Sequence, residues 1–288
     1  MTDTSYTKGR AFIIREGRIL DQRLAETVFD GAPAEPVVDA LRAYQNGDGG
    51  FGHGLEPDKR CPDSQPLDVE IALRTLVHAR TNVAAAVVER ACDYLASVAD
   101  ADGGVALVFP SIAAYPHAEH WGDGVFPAGL NPTATLAGLL YELGVNHPWL
   151  EKATEFCWRR LDAGEFDDSH TLLCVSVFLD RVPDRARADT FAPVVVERLG
   201  KADYFHLDAG GAGYGLTPLD FAPKPGTRWE GLFGRPRIDA HVDWLAGQQQ
   251  VDGGWPIAWE PPSTASTLEW RASKTVSALM TLRAYGRL

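Results

Sequence analysis

Two short stretches of this chain gather ionisable side chains in a way that suits proton chemistry. The first is Glu165-Phe166-Asp167-Asp168, followed by Ser169-His170-Thr171 and a run of apolar residues. Carboxyls this close cannot all ionise in a dry cavity, so one keeps its proton near neutral pH and can act as a general acid. His170 falls three residues beyond Asp167, on the same face of a helix and within reach of its carboxyl. Asp167 or Asp168 equally suits the N-cap of a helix opening at Ser169, and both roles are met if one Asp caps and the other points inward. The second stretch is the turn Phe51-Gly52-His53-Gly54 with Glu56, Asp58, Asp63, Asp68 and Glu70 behind it, five carboxylates in 15 residues. Asp63 and Asp68 suit the N-terminus of the next helix, where the macrodipole favours anions. Glu56 and Asp58, beside His53, are not needed as caps and are candidates for a site.

The elements that must position these groups are legible as a repeat. Asp48, Asp102, Asp162, Asp208 and Asp252 are each followed within two residues by glycine, at spacings of 54, 60, 46 and 44. That spacing holds two ordinary helices and two connections, so the chain reads as about five helical hairpins with Gly-rich turns. Pro36–Gln45, Val87–Val98, Pro148–Leu161, Thr190–Lys201 and Asp239–Gln249 return apolar residues at three and four and read as outer helices. Leu67–Ala79, Pro132–Leu143, Ser169–Leu179 and Ser273–Tyr285 are apolar nearly all round and read as inner helices. Residues 1–34 read as an N-terminal helical segment packing on this assembly, and the whole of 1–288 as one domain. In the fourth unit, Gly210–Gly215 followed by Pro218, Pro223 and Pro225 shortens or replaces the inner helix. That segment is either a lid with Tyr214 facing a ligand or an elaborate turn.

The turns carry a finer signature. Trp244-Leu245, Gln249, Gly253 and Trp255 read aromatic-Leu-x3-Gln-x3-Gly-x-Trp, and Leu41, Gln45, Gly49 and Phe51 stand at the same offsets. Tyr94, Leu95, Gly103 and Val105 form a third copy in which Ala99 replaces the glutamine. A motif that recurs where a single active site could not must specify architecture: glycine for positive φ, glutamine for exposed backbone, a large side chain to plug the seam. The unit resembles the QW repeat of the squalene cyclase and protein prenyltransferase superfamily, without the basic residue and glycine that usually open it. The resemblance implies an all-α fold, an α/α toroid, with chemistry where the inner helices begin. It is also what implies a class II, protonation-initiated cyclase or isomerase. The Asp-x-Asp-Asp motif of those enzymes is matched by Glu165, Asp167 and Asp168, Glu165 replacing the first Asp and Asp167 standing as proton donor. His53, Glu56, Asp58, Trp121, Asn131, His170, Tyr214 and Trp270 are the expected substrate-binding residues on the same rim. None of the four cysteines has Asp two residues before it, and Thr171 stands where a magnesium motif would place its last Asp, so neither zinc nor magnesium, and no cofactor, is expected.

Composition narrows the partners. The net charge of −12 argues against nucleic acid and anionic membrane, both of which need a basic footprint. Apolar runs such as Leu172–Leu179 fall far short of the ~20 residues of a membrane span. Residues 1–18 have neither the apolar core nor the cleavage site of a signal peptide. A cytoplasmic protein is expected, with peripheral membrane attachment left open, and Cys61, Cys92, Cys157 and Cys174 as unpaired thiols. The expected partner is a small apolar substrate such as an isoprenoid, and a second copy completing the cavity stays open. Two other classes compete: a carbohydrate-active (α/α)-barrel enzyme with a carboxylate pair, and a non-catalytic hydrophobic-ligand or scaffold protein.

Overall fold

The structure is a computed structural model that describes residues 4–81 and 84–288. It is all-helical, with isolated bridges such as Gln45 to Phe51 but no strand among the described residues. The helices are α1 (Thr4–Glu16), α2 (Ile19–Asp30), α3 (Glu35–Arg42), α4 (Pro66–Ala79), α5 (Ala85–Val98), α6 (Leu130–Glu142) and α7 (Pro148–Asp162). They continue with α8 (Ser169–Leu179), α9 (Arg185–Leu199), the short α10 (Pro218–Phe221) and α11 (Arg228–Phe233), then α12 (Arg235–Gly247) and α13 (Thr264–Ala284). Helix starts follow local chemistry. Pro66, Pro148 and Pro218 stand in first turns, where a missing amide hydrogen costs nothing, and Asp168 caps α8 through the amides of His170 and Thr171. The continuous part of α6 begins at Pro132, since Asn131 is non-helical at φ −96° and ψ 111°.

The apolar helices pack in series: α2 on α4, α4 on α6, α6 on α8, α8 on α10, and α13 back on α2. The fifth of them is the four-residue α10, so the glycine- and proline-rich segment does shorten a helix there. In the N-terminal segment α1 pairs with α2 and α13, and α2 stands between α4 and α13. The first three residues lie outside the described ones.

The repeated motif joins each unit to the next amphipathic helix. Gly49, Gly103 and Gly253 have φ of 93°, 96° and 96°. A Cβ on Gly49 would stand 2.3 Å from the carbonyl oxygen of Arg90 on α5. On Gly103 it would stand 2.7 Å from that of Lys152 on α7, and on Gly253 2.2 Å from that of Lys8 on α1. One turn further along each receiving helix an aromatic ring seats on the second glycine. Tyr94, Phe156 and Phe12 lie 2.9, 2.5 and 2.7 Å from where a Cβ would stand on Gly50, Gly104 and Gly254. The glutamine completes the joint: Gln45 Nε2 donates to the carbonyls of Gly49 and Val87, both at 2.9 Å, and Gln249 Nε2 to those of Gly253 and Ser5 at 2.9 and 2.8 Å. Arginines on the receiving helices cover the turns, Arg90 on Asn46, Arg159 on Asp102 and Arg15 on Asp252. Phe51, Val105 and Trp255 are the buried plugs. At the less regular turns a side chain of the receiving helix makes the contact, Arg198 of α9 on the Gly164 carbonyl and Trp244 of α12 beside Gly210.

Gly253→Ala combines a strained φ with a collision against backbone that cannot rotate away. It is expected to lose about 1–3 kcal/mol in urea denaturation, whereas Gly247→Ala, in open space on α12, loses nothing. Equal stability of the two variants would show that the joint does not hold the last unit.

Candidate functional site

The connection from α3 to α4 carries the densest set of buried charges. His53 and Gly54, both at positive φ, reverse the chain, and the following residues are strapped on two sides. The Glu56 amide donates to Asp68 Oδ1 at 2.7 Å, the Ala118 amide to the Asp58 carbonyl at 2.7 Å, and the Arg60 amide to the Pro116 carbonyl at 2.9 Å. Lys59, only 1% exposed, places its ammonium 2.8 Å from Asp68 and 3.4 Å from Glu56. Two carboxylates therefore share one buried cation. Burial raises the Glu56 pKa from its ordinary 4.5 to about 7, Lys59 opposing and Asp58 and Asp68 adding to the rise. Burial raises Asp68 too, against Lys59. Neither Asp63 nor Asp68 caps α4, whose N-cap is Gln65 without a side-chain bond, and Asp68 is spent on Lys59 and the Glu56 amide.

Asp58 points elsewhere. Its side chain is 4% exposed, Oδ2 accepts a hydrogen bond from Trp259 Nε1 at 2.9 Å, and Oδ1 is buried without a partner. The Trp270 indole N–H is close enough to favour the anion but makes no well-formed hydrogen bond. Burial raises the Asp58 pKa from 3.8 to about 6, with Trp270, Trp259, Lys59 and Arg60 restraining the rise. His120 Nε2 stands 3.9 Å from Oδ2. Aromatic rings continue outward: Trp259 meets Trp270 at 5.3 Å and Tyr214 at 5.6 Å, both edge to face, and Lys274 lies over the Trp259 ring. Tyr214 and His170 Nε2 are hydrogen-bonded at 2.7 Å. Burial, with Asp220 and Asp58, raises the Tyr214 phenol to about 12, and burial lowers His170, so both are neutral near pH 7. Below Asp58, Arg60 pairs with Glu269 at 2.9 Å and bonds Ser266, while Arg18 pairs with Asp21 and bonds the Leu55 carbonyl.

Four of the sequence candidates, Asp58, His170, Tyr214 and Trp270, are thus brought together by this chain of contacts. Glu56 lies behind them in the Lys59 network. The acidic triplet is not at the site. Asp167 is 83% exposed and paired with Arg198 at 2.8 Å, Glu165 is exposed and paired with Arg160, and Asp168 is the α8 cap. The dry environment that would hold a proton on Asp167 does not form, because the turn at Gly164 faces solvent and is covered by an arginine. His170 bonds Tyr214 and not Asp167. His53 is exposed and bonds Asn46 at 2.8 Å. Asn131 stands at the kink opening α6, and Trp121 packs with Cys61, Val108, Ile112 and Ala118 in a small separate core. Lys59 and His120 were not among the candidates. The excess of acid around Lys59 is a sequence signal for a buried cation, but the approach of His120 to Asp58 spans 62 residues and leaves no local trace.

Two open clefts, of about 420 and 490 Å³, flank the turns at Asp252 and Asp48. They occupy equivalent places in two units, which marks them as products of the repeat. The four cysteines are free and buried, and among the described residues no three His, Cys, Asp or Glu side chains are arranged to hold a metal. Nor is any described helix long and apolar enough to cross a membrane.

No protein-family model matches the chain. No curated protein matches it either. A crystal structure of a protein from Actinoplanes is similar over 98% of this chain and 99% of that one, with a TM-score of 0.60 and 17% sequence identity. At that identity the likeness is one of fold.

Because Glu56 holds its proton more tightly folded than unfolded, its contribution to stability is full below about pH 4.5 and is lost as pH rises through about 7. Glu56→Gln, an imitation of the protonated form, is expected to lose less stability than the wild type between about pH 5 and pH 8 in denaturant titrations. An unchanged difference between the two pH values would show that Glu56 does not titrate in that window.

Proposed function

We propose that the helical pairs close into an α/α toroid and that the chain is a terpenoid-cyclase-like enzyme in which Asp58, not Asp167, is the general acid. Closure is supported by the joints, which run from α3 to α5, α5 to α7, α7 to α9, α9 to α12 and α12 to α1. The observation that carries the chemical reading is the Asp58 carboxyl itself, buried among indole, phenol and imidazole rings with one oxygen free of any partner. Protonating an alkene or epoxide requires a donor that holds its proton near neutral pH and a conjugate base that is stabilised once the proton leaves. Burial supplies the first and the indole N–H groups of Trp259 and Trp270 the second. The rings around Asp58 offer the apolar surface and the negative faces that favour a carbocation over water.

A two-carboxylate hydrolysis of a glycoside fits less well. Three acids of the neighbouring networks are committed, Glu56 and Asp68 to Lys59 and Glu269 to Arg60, and none of these is a free second carboxyl.

The test is conversion of linear isoprenoids by wild-type protein, Asp58→Asn and Asp167→Asn. Asp58→Asn is expected to lose at least about a hundredfold in turnover and Asp167→Asn to keep it. Undiminished turnover in Asp58→Asn, or no conversion of any linear isoprenoid by the wild type, would overturn the reading.

A further inference from the structure

An acid that gives its proton to carbon is left as a carboxylate and must regain a proton before the next turnover. Asp58 is 4% exposed, so that proton must come through a neighbour. Lys59 is 1% exposed and held by Asp68 and Glu56, and Arg60 is paired with Glu269. Glu56 is itself buried, and His170 Nε2 is taken by the Tyr214 hydroxyl. The remaining group is His120, whose side chain is 51% exposed while its Nε2 lies 3.9 Å from Asp58 Oδ2.

We propose that His120 is the proton carrier between water and Asp58, a reading that rests on the acid role given to Asp58 above. The ring is placed for this by both backbone and packing. The Ala118 amide bonds the Asp58 carbonyl at 2.7 Å, and the Arg60 amide bonds the Pro116 carbonyl at 2.9 Å, so the loop is tied to the segment it serves. His120 then lies on the Trp121 ring at 4.6 Å, and Trp121 is braced by Phe126 and its small core. A gap of 3.9 Å is longer than a hydrogen bond and is closed by rotation of the ring or by one bridging water.

Transfer breaks an N–H bond of the imidazolium and forms the O–H bond of Asp58. The neutral imidazole then takes its next proton from water. The groups bearing on the His120 ring are Asp58, His117 and His170, and burial with the two histidines lowers its pKa from 6.5, while burial raises Asp58 to about 6. The two shifts narrow the ordinary gap between an imidazole and a carboxyl, which is the direction that eases transfer between them.

The experiment needs no substrate. Protein carrying ¹³C at its Asp carboxyls is followed by NMR near the Asp58 midpoint, the Asp58 resonance being assigned by its loss in Asp58→Asn. Wild-type protein is expected to give one averaged line. His120→Gln and His120→Ala, both at a half-exposed position, are expected to slow proton exchange at Asp58 at least about tenfold, with line broadening that added imidazole reverses. An exchange rate equal to wild type in either variant, or broadening that imidazole leaves unchanged, would overturn the relay. Turnover failures separate cleanly: if Asp58→Asn still converts isoprenoids while exchange depends on His120, the acid role falls and the relay stands.

Discussion

A carbonyl oxygen meeting a bare glycine Cα is the contact on which the rest of the molecule depends. At Gly49, Gly103 and Gly253 the chain turns at positive φ so closely over the next helix that a single methyl group would collide with its backbone. Each such contact seats an aromatic ring on the neighbouring glycine, and at Gly49 and Gly253 it lets a glutamine bridge two backbone carbonyls. The energy in any one joint is modest, but the joints are in series. Their repetition adds register: each helix can meet the next in one position only, because a slip of one residue would put a side chain where the glycine must be.

The candidate site follows from the last joint. Asp58 belongs to the connection ahead of α4, whereas Trp259 and Trp270 belong to the connection ahead of α13 and to α13 itself. More than two hundred residues separate them, and they meet because the turn after α12 docks on α1 through Gln249 and Gly253 while α13 packs on α2. The arginine–acid pairs beneath, Arg60 with Glu269 and Arg18 with Asp21, hold the same junction. The functional groups are thus distributed over both ends of the chain, and burial of Asp58, the source of its raised pKa, depends on both being in place.

This explains what was legible beforehand. The apolar period of Leu67–Ala79, Pro132–Leu143 and Ser169–Leu179 located α4, α6 and α8 to within a few residues, because helices covered on all sides must be apolar on all sides. The Asp-Gly turns located the joints, since positive φ has a residue signature. The acidic triplet is adjacent in sequence but does not share burial. Asp167 is covered by nothing, and Arg198, 31 residues away, neutralises it in solvent. Glu56 and Asp58 were legible as superfluous to capping, but which of them is free was not: Lys59 takes one, and two tryptophans at the far end of the chain receive the other. Contacts of that length leave no pattern in a single sequence.

Asp58 is enclosed where the connection ahead of α4 meets the connection ahead of α13, and burial there makes it a proton-holding carboxyl. A ¹³C NMR titration of its side chain reads this directly. A midpoint near 6 is expected in the intact protein, falling toward 3.8 when Gly253→Ala loosens the last joint. A midpoint near 3.8 in the intact protein would contradict it.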